Sequence, residues 1–282
     1  MILKDLIKYG QDTLNEAGIS DYENDAKVLA MYAFDLDYTG MLMKMYEEAD
    51  SETEEYYKDY ISIRAGHVPC QYITGTQMFM GHEFNVAENV LIPRSETELL
   101  VEQALKLTED LDTCRALDMC CGSGCIGISY ALGRMATSHK KDEVELVDIS
   151  EDALHLSEDN MYKLGAKCNI IKSDLFENIE YRYDIIMTNP PYIKSSDIEG
   201  LMDEVRIHEP RLALDGMDDG LYFYRRIIAD GRKHLYEGGI LIMEIGYDQY
   251  QDIRDLLIEA GYSNIDLIKD YAGLDRIVTA VR

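Results

Sequence analysis

With 282 residues, the chain is long enough for one large domain or for two domains of unequal size. Its formal charge of −27 opposes stable binding to nucleic acid, because affinity for phosphates depends on clustered Lys and Arg. No apolar run reaches the roughly 18 residues of a membrane span, and residues 1–5 do not begin a signal peptide. We therefore expect a cytoplasmic protein without membrane contact.

The first part of the chain is predicted to form a small helical bundle. Apolar side chains recur near a period of 3.6 over residues 3–14, and a second helix is predicted to begin near Asp21. Ser51 and Glu54 have the spacing of a capping box for a further helix. No catalytic group stands out there, so we assign residues 1–75 to a helical N-terminal domain for substrate recognition.

The sequence pattern changes after Val68. Gly75 and Gly81 separate short apolar runs, which predicts a β-hairpin linker over residues 76–92. Ser95 and Glu98 again have capping-box spacing, at the start of the next predicted helix.

Beyond residue 113, predicted strands alternate with predicted helices. This alternation predicts an α/β domain over residues 93–282, with a parallel, doubly wound sheet and helices on both faces. In such sheets, ligands bind at the carboxyl ends of the strands. The predicted strands are residues 116–119, 144–147, 169–171, 184–188, 240–245 and 276–281.

The six cysteines do not have the spacing of a metal site. Three of them cluster, and no histidine lies near these three in the sequence. We therefore predict no metal and interpret the cysteines as free thiols, well buried as small side chains. They are Cys70, Cys114, Cys120, Cys121, Cys125 and Cys168.

A glycine-rich turn follows the first predicted strand and precedes a helix. Its Gly122 and Gly124 let backbone N–H groups approach a ligand closely, and the helix N-terminus favours negative charge. The glycines formally match G-x-G-x-x-G, so a nicotinamide oxidoreductase is one alternative, and tight packing alone is another. Asp148 ends the next strand, where a carboxylate can accept both hydroxyls of a ribose. Together the two features predict a nucleoside site.

Two residues after the third strand complete this predicted site. Asp174 can accept a hydrogen bond from an adenine amino group, while Leu175 or Phe176 covers the ring. A turn residue without a ligand is the alternative for Asp174.

The tetrapeptide Asn189-Pro190-Pro191-Tyr192 ends the predicted strand 184–188. A hydride-transfer enzyme gives no reason for this sequence, whereas an enzyme that methylates a planar nitrogen does. Such a nitrogen is a poor nucleophile because its lone pair is delocalised. The Asn189 side-chain oxygen and the Pro190 carbonyl can accept both of its N–H hydrogens, and Tyr192 can stack on the planar group. We predict catalytic roles for these three residues and a substrate-binding role for the whole tetrapeptide.

These motifs resemble those of the HemK-like N5-glutamine methyltransferases that modify peptide chain release factors. The resemblance runs along most of the chain and includes residues 69–75, 91–98, 209–210 and 244–246. It implies a Rossmann-like, seven-stranded class I methyltransferase domain whose last strand is antiparallel. It also implies S-adenosylmethionine as methyl donor, S-adenosylhomocysteine as product, and no metal. The implied substrate is the glutamine of the Gly-Gly-Gln motif in class I release factors, bound by a monomer, with an effect on translation termination.

The resemblance also implies roles for individual residues. Asp148 would hold the donor's ribose, Asp174 and Leu175 its adenine, and the tetrapeptide 189–192 the glutamine amide. The donor's amino acid part would lie on the glycine turn, which comprises Cys120, Cys121, Gly122, Ser123 and Gly124. Asp118, Ile149 and Asn189 are further residues assigned to the donor site.

The chain departs from the family pattern at a few positions. Ser95 replaces a usual proline, Cys120 and Cys121 replace the usual Gly-Thr, and Leu175 stands where some relatives have tryptophan. Two alternatives remain beside the oxidoreductase. One is an amino-methyltransferase that acts on adenine or cytosine of DNA or on ribosomal RNA, opposed by the acidic charge. The other is a noncatalytic donor-binding module, opposed by the intact Asn189 and Tyr192.

Overall fold

The computed structural model describes residues 1–137 and 142–282, which form two compact units. The smaller unit consists of Met1–Thr76 and Met202–His208, and the larger of Gln77–Leu201 and Glu209–Arg282. The sequence prediction ends the N-terminal domain at residue 75, treats residues 76–92 as a linker and puts residues 202–208 in the last domain.

The smaller unit is helical, as the apolar periodicity predicts. Its core contains fully buried Leu6, Leu14, Leu29 and Tyr57. Two short helices, α3 and α5, were not predicted. The helices are α1 (Leu3–Glu16), α2 (Tyr22–Ala33), α3 (Tyr38–Lys44), α4 (Ser51–Ala65), α5 (Cys70–Thr74) and, from the second segment, α9 (Asp203–His208).

The predicted capping box of α4 is wrong. The cap is Asp50, one residue earlier, whose carboxylate accepts a hydrogen bond of 2.9 Å from the Thr53 backbone N–H. Asp at this position satisfies an otherwise unpaired N–H of the first turn. Glu54 instead forms exposed ion pairs with Lys58 and with the amino group of Met1.

A buried arginine joins the two segments of the smaller unit. Arg64 of α4 is 4% exposed and lies 2.7 Å from Asp25 of α2. Its guanidinium also lies 2.6 Å from Glu204 of α9. One planar cation thus pairs with two carboxylates, which its fork of donors allows.

In the larger unit, a β-hairpin comes first in the chain and is followed by alternating strands and helices. The hairpin strands are β1 (Thr76–Phe79) and β2 (His82–Asn85). The further strands are β3 (Arg115–Met119), β4 (Glu143–Asp148), β5 (Asn169–Lys172), β6 (Tyr183–Thr188), β7 (Leu235–Glu244), β8 (Ser263–Lys269) and β9 (Asp275–Val281). The helices are α6 (Glu98–Leu107), α7 (Cys125–Thr137), α8 (Glu151–Leu164), α10 (Arg211–Leu214), α11 (Tyr222–His234) and α12 (Tyr250–Glu259).

Within the described residues, the sheet has seven strands in the order β5-β4-β3-β6-β7-β9-β8. Strands β3 to β7 run parallel, and β9 is antiparallel to both β7 and β8. This confirms the predicted α/β class and the antiparallel last strand. Strand β8 was not predicted. The chain runs from β3 to β4 and β5 on one side of β3 and then crosses to β6 on its other side. This switch in strand order makes the carboxyl ends of β4, β3 and β6 the natural ligand site.

The second predicted capping box is also wrong. Residues Ser95–Thr97 form a 3₁₀ turn ahead of α6, and the Ser95 hydroxyl contacts Glu96 rather than the helix. The Glu98 carboxylate accepts a hydrogen bond of 2.6 Å from the Met80 backbone N–H. Glu98 therefore ties α6 to the tip of the hairpin.

No helix in residues 1–137 or 142–282 is long and apolar enough to cross a membrane. In the same ranges, no group of three His, Cys, Asp or Glu side chains is arranged to hold a metal ion. All six cysteines are free thiols, and Cys120 and Cys168 are half-buried while the others are buried.

Candidate active site

A cavity of about 280 Å³ lies at the carboxyl ends of β3, β4 and β6. Most of the predicted site residues line it together. Those in the lining are Cys120, Cys121, Gly122, Ser123, Asp148, Ile149, Asp174, Leu175, Asn189 and Pro191. Asp118, Gly124, Pro190 and Tyr192 were also predicted, but they lie outside the lining.

The glycine turn is held in a left-handed backbone conformation. Cys120, Gly122 and Gly124 have φ values of 61°, 54° and 79°. A Cβ added to Gly124 would lie 2.8 Å from the Ile128 side chain, so this position needs glycine for space as well as for φ. Cys120 takes a left-handed conformation that disfavours any Cβ, so glycine would adopt it at lower cost.

Asp148 connects the turn to the end of β4. Its Oδ2 accepts a hydrogen bond of 2.9 Å from the Gly122 N–H, and its Oδ1 accepts one of 2.9 Å from the Ser150 N–H. Burial raises the pKa of Asp148, while these N–H groups oppose the rise. Each carboxylate oxygen can accept a second hydrogen bond, so Asp148 can still receive two hydroxyl groups from the cavity.

Asp118, which was predicted as a donor-site residue, lies outside the cavity lining. It is fully buried, and its Oδ2 accepts a hydrogen bond of 2.8 Å from the Gly127 N–H in the first turn of α7. Its Oδ1 receives no hydrogen bond from the described residues. Burial raises the pKa of Asp118 to about 8. Asp118 thus anchors α7 behind the glycine turn.

The far end of the cavity contains residues that were not predicted. Asp174 forms an ion pair of 2.9 Å with Arg226 of α11, and Tyr222 and Phe223 of the same helix line the cavity. Leu175 also lines it. The alternative ring cover does not, since Phe176 lies outside the lining and stacks on His234 at 5.0 Å between ring centroids. In the sequence, the Tyr-Phe-Tyr-Arg-Arg run of α11 could have indicated these cavity residues. Aromatic residues in a predicted helix are, however, usually interpreted as packing residues.

The tetrapeptide 189–192 has a firmly held backbone. The Tyr192 carbonyl accepts a hydrogen bond of 3.0 Å from the Gln249 side chain, and Gln249 is itself buried. A Cβ on Gly216 would lie 2.8 Å from the Tyr192 backbone, so the two segments pack closely. Just before the tetrapeptide, the Thr188 hydroxyl donates to the Met119 carbonyl at 2.7 Å, which ties β6 to β3.

A hydrogen-bonded chain joins Asn189 to two residues that the sequence did not identify. The Asn189 Nδ2 donates to the Thr97 Oγ1 at 3.3 Å, and the Thr97 hydroxyl donates to the Glu244 Oε2 at 2.6 Å. The Tyr192 hydroxyl donates to the other oxygen of Glu244 at 3.4 Å, so Tyr192 takes part in this chain beside any stacking. Glu244 is 2% exposed, and burial raises its pKa. Thr97 and Glu244 both lie in segments that carry the resemblance, but their pattern gave no role.

The chain matches known proteins along its whole length. Residues 5–75 match the model of the PrmC N-terminal domain, and residues 95–217 match that of the methyltransferase small domain. The release factor glutamine methyltransferase of Clostridium botulinum is 38% identical over 285 residues, which cover 99% of each chain. That of Clostridium acetobutylicum is 38% identical over 288 residues, covering 100% of this chain and 99% of the relative.

A solved structure shares the fold. It is a ribosomal protein L11 methylase from Lactobacillus delbrueckii subsp. bulgaricus, with a TM-score of 0.50 and 20% sequence identity. The match covers 70% of this chain and 83% of that protein.

Proposed function

This chain belongs to the release factor glutamine methyltransferase family, and on that premise we propose that it methylates release factors. It transfers a methyl group from S-adenosylmethionine to the side-chain amide nitrogen of the glutamine in the Gly-Gly-Gln motif of class I release factors. This modification modulates translation termination, which places the enzyme in the cytoplasm. The observation that carries the proposal is Asn189, which lines the cavity with its amide nitrogen bonded to Thr97.

The cavity suits the proposed donor. Its lining is mainly apolar with a few polar groups, as small-molecule sites usually are. Asp148 offers acceptors for two ribose hydroxyls, and Asp174, which the resemblance assigns to the adenine, lines the same cavity. The left-handed turn lines the cavity with Gly122, which has no Cβ, so a ligand can approach the backbone closely there. When bound, S-adenosylmethionine supplies an electrophilic methyl group on a positively charged sulfur.

The side chains at the end of β6 prepare the amide nitrogen. The Asn189 Oδ1 and the Pro190 carbonyl each accept one N–H hydrogen of the primary amide, which orients its lone pair and raises the electron density on nitrogen. The proton becomes acidic only after the nitrogen is methylated, so no strong base is needed at the outset. A rigid clamp lowers the entropic cost of this alignment, and the Gln249 contact to Tyr192 makes it rigid.

We assign recognition of the release factor to residues 1–75. Helix α3 of this region exposes three large apolar side chains: Tyr38 is 60% exposed, Leu42 51% and Met43 79%. Exposed apolar groups on one short helix are typical of a protein-binding surface. We propose that the enzyme acts as a monomer and does not bind nucleic acid stably.

A methyl-transfer assay tests the proposal. The protein is incubated with radiolabelled S-adenosylmethionine and a class I release factor, with the same factor lacking the Gly-Gly-Gln glutamine, or with DNA and ribosomal RNA. We expect label on the intact factor alone. Label on nucleic acid, or undiminished label on the factor without glutamine, would contradict the proposal.

Two variants separate the roles of the two ends of the cavity. Asn189→Ala removes one acceptor for the substrate amide, so turnover falls by about 10²-fold while calorimetry shows nearly normal donor affinity. Asp148→Ala removes the ribose acceptor, so donor affinity is its main defect. An unchanged donor affinity in Asp148→Ala, or its loss as the main defect of Asn189→Ala, would refute these assignments.

A further inference from the structure

The side chain of Asn189 is useful to the reaction in only one of its two orientations. Its planar amide has an acceptor on one side and a donor on the other. Rotation of the amide by half a turn would present an NH₂ group to the substrate N–H hydrogens and repel them. The inference below therefore rests on the proposed function, in which Asn189 acts as an acceptor.

The hydrogen-bonded chain selects the useful orientation. An ionised carboxylate can only accept, so the single proton of the Thr97 hydroxyl goes to Glu244, at 2.6 Å. The Thr97 oxygen can then only accept from Asn189, which turns the Nδ2 toward Thr97 and the Oδ1 away from it. Thr97 and Glu244 are each 2% exposed, so water does not replace either partner.

The fold explains why these three residues meet. Strands β6 and β7 are parallel neighbours, and Thr188 pairs with Met243 in the last register position. Asn189 directly follows Thr188, and Glu244 directly follows Met243. The amide and the carboxylate therefore lie side by side at the ends of the two strands. Thr97 lies in the turn before α6 and bridges them.

We propose that Thr97 and Glu244 are positioning residues that keep the Asn189 amide oxygen turned toward the substrate and thereby support the rate of methyl transfer. Neither residue touches the reacting atoms in this role. Both act through Asn189.

Protonation of Glu244 would remove the selection. A neutral carboxyl can donate to Thr97, and Thr97 can then donate to the amide oxygen of Asn189. The groups that face the Glu244 carboxylate are the Thr97 and Tyr192 hydroxyls, the Arg276 guanidinium and the Glu96 carboxylate. Burial and Glu96 raise the pKa of Glu244, and Arg276 with the two hydroxyls lowers it, with a net rise. The turnover number should therefore decline in acid at a pH above the ordinary range of glutamate.

The test measures kcat and KM for the release factor, both at saturating donor. Donor affinity is measured separately. Thr97→Val keeps the shape but removes the hydroxyl, and we expect kcat to fall about tenfold, which corresponds to roughly 1.4 kcal/mol. Donor affinity should stay unchanged. Thr97→Ser restores the hydroxyl and should restore kcat. Thr108→Val is the matched control, because Thr108 is equally buried and its hydroxyl bonds the Ala104 carbonyl at 2.8 Å.

The pH profile supplies a readout that a packing defect would not change. We expect the acid decline of kcat in the wild type and in Thr97→Ser, and its absence in Thr97→Val. A wild-type kcat in Thr97→Val, together with an inactive Asn189→Ala, would overturn the positioning role and leave the proposed function standing. A wild-type kcat in Asn189→Ala would instead overturn the acceptor role of Asn189 itself.

Glu244→Gln provides a second, independent variant if Thr97→Val does not fold. A glutamine can either accept from Thr97 or donate to it, so Asn189 takes both orientations and kcat falls. The acid decline should vanish, because the titrating group is gone. An acid decline of kcat that persists unchanged in Glu244→Gln would overturn the proposal.

Discussion

Cys120 occupies a backbone conformation that glycine would adopt at lower cost, and a pair of substitutions can measure this. Its φ is 61°, whereas the neighbouring Cys121 does not have a positive φ. At each position the side chain is first shortened to alanine and then to glycine. The first step removes side-chain contacts, and the second changes only the Cβ and the backbone freedom.

The expected free energies have opposite signs for the second step. Changing alanine to glycine costs about 0.5–1 kcal/mol through the entropy of the unfolded chain. At position 120 this cost is offset by the release of about 1–2 kcal/mol of left-handed strain. The step should therefore stabilise the fold by roughly 0.5–1 kcal/mol at Cys120 and destabilise it by a similar amount at Cys121.

Hydrogen exchange under increasing urea is the suitable assay, because two compact units need not unfold together. Peptides from β3, which leads into the turn, and from its sheet neighbour β6 are followed, and their opening free energy is compared across the four variants. If the alanine-to-glycine step destabilises the fold equally at both positions, Cys120 carries no left-handed strain and the reasoning is refuted.

Two further predictions concern buried charges. Asp118 has its pKa raised from 3.8 to about 8, so its contribution to stability is fully present below the unfolded value and is lost as pH rises through the folded value. Asp118→Asn should therefore flatten the fall in unfolding free energy between pH 4 and 8, as measured by denaturation at several pH values. An unchanged slope would contradict a raised pKa of Asp118. Arg64→Met leaves Asp25 buried without its cation and should cost about 3–5 kcal/mol, whereas Lys58→Met, at an exposed pair, should destabilise the protein much less. Exchange of α1 and α4 peptides measures both, and similar costs for the two variants would refute the argument.

Local sequence patterns predicted the elements whose own residues determine them. The Gly122 and Gly124 turn, the 189–192 tetrapeptide and each single strand or helix of the alternation depend mainly on residues close together in the sequence. Errors occurred where a neighbouring residue competed for the same role. Asp50 rather than Ser51 caps α4, because both have side-chain acceptors and the helix start selects one of them.

Contacts between distant residues were beyond these patterns. Strand β8 is paired by β9 on one edge only, and its burial is partial, so its apolar alternation is short and was not recognised. Residues 202–208 join the smaller unit through the ion pair of Arg64 with Glu204, two residues 140 positions apart. Charge and helical spacing alone do not say which cation a carboxylate will meet.

The sequence by itself determined the fold class and located the glycine turn and the tetrapeptide 189–192, because each depends on backbone conformation and on adjacent residue types. Only the tertiary structure decided the orientation of the Asn189 side chain. Thr97 precedes Asn189 by 92 positions, and Glu244 follows it by 55. Glu244 meets Asn189 because β6 and β7 end side by side, and Thr97 bonds to both residues. The same packing buried Asp118 away from the cavity and paired Asp174 with Arg226. Burial and hydrogen-bond direction are properties of the folded chain, and they set the orientation of the Asn189 side chain against Thr97.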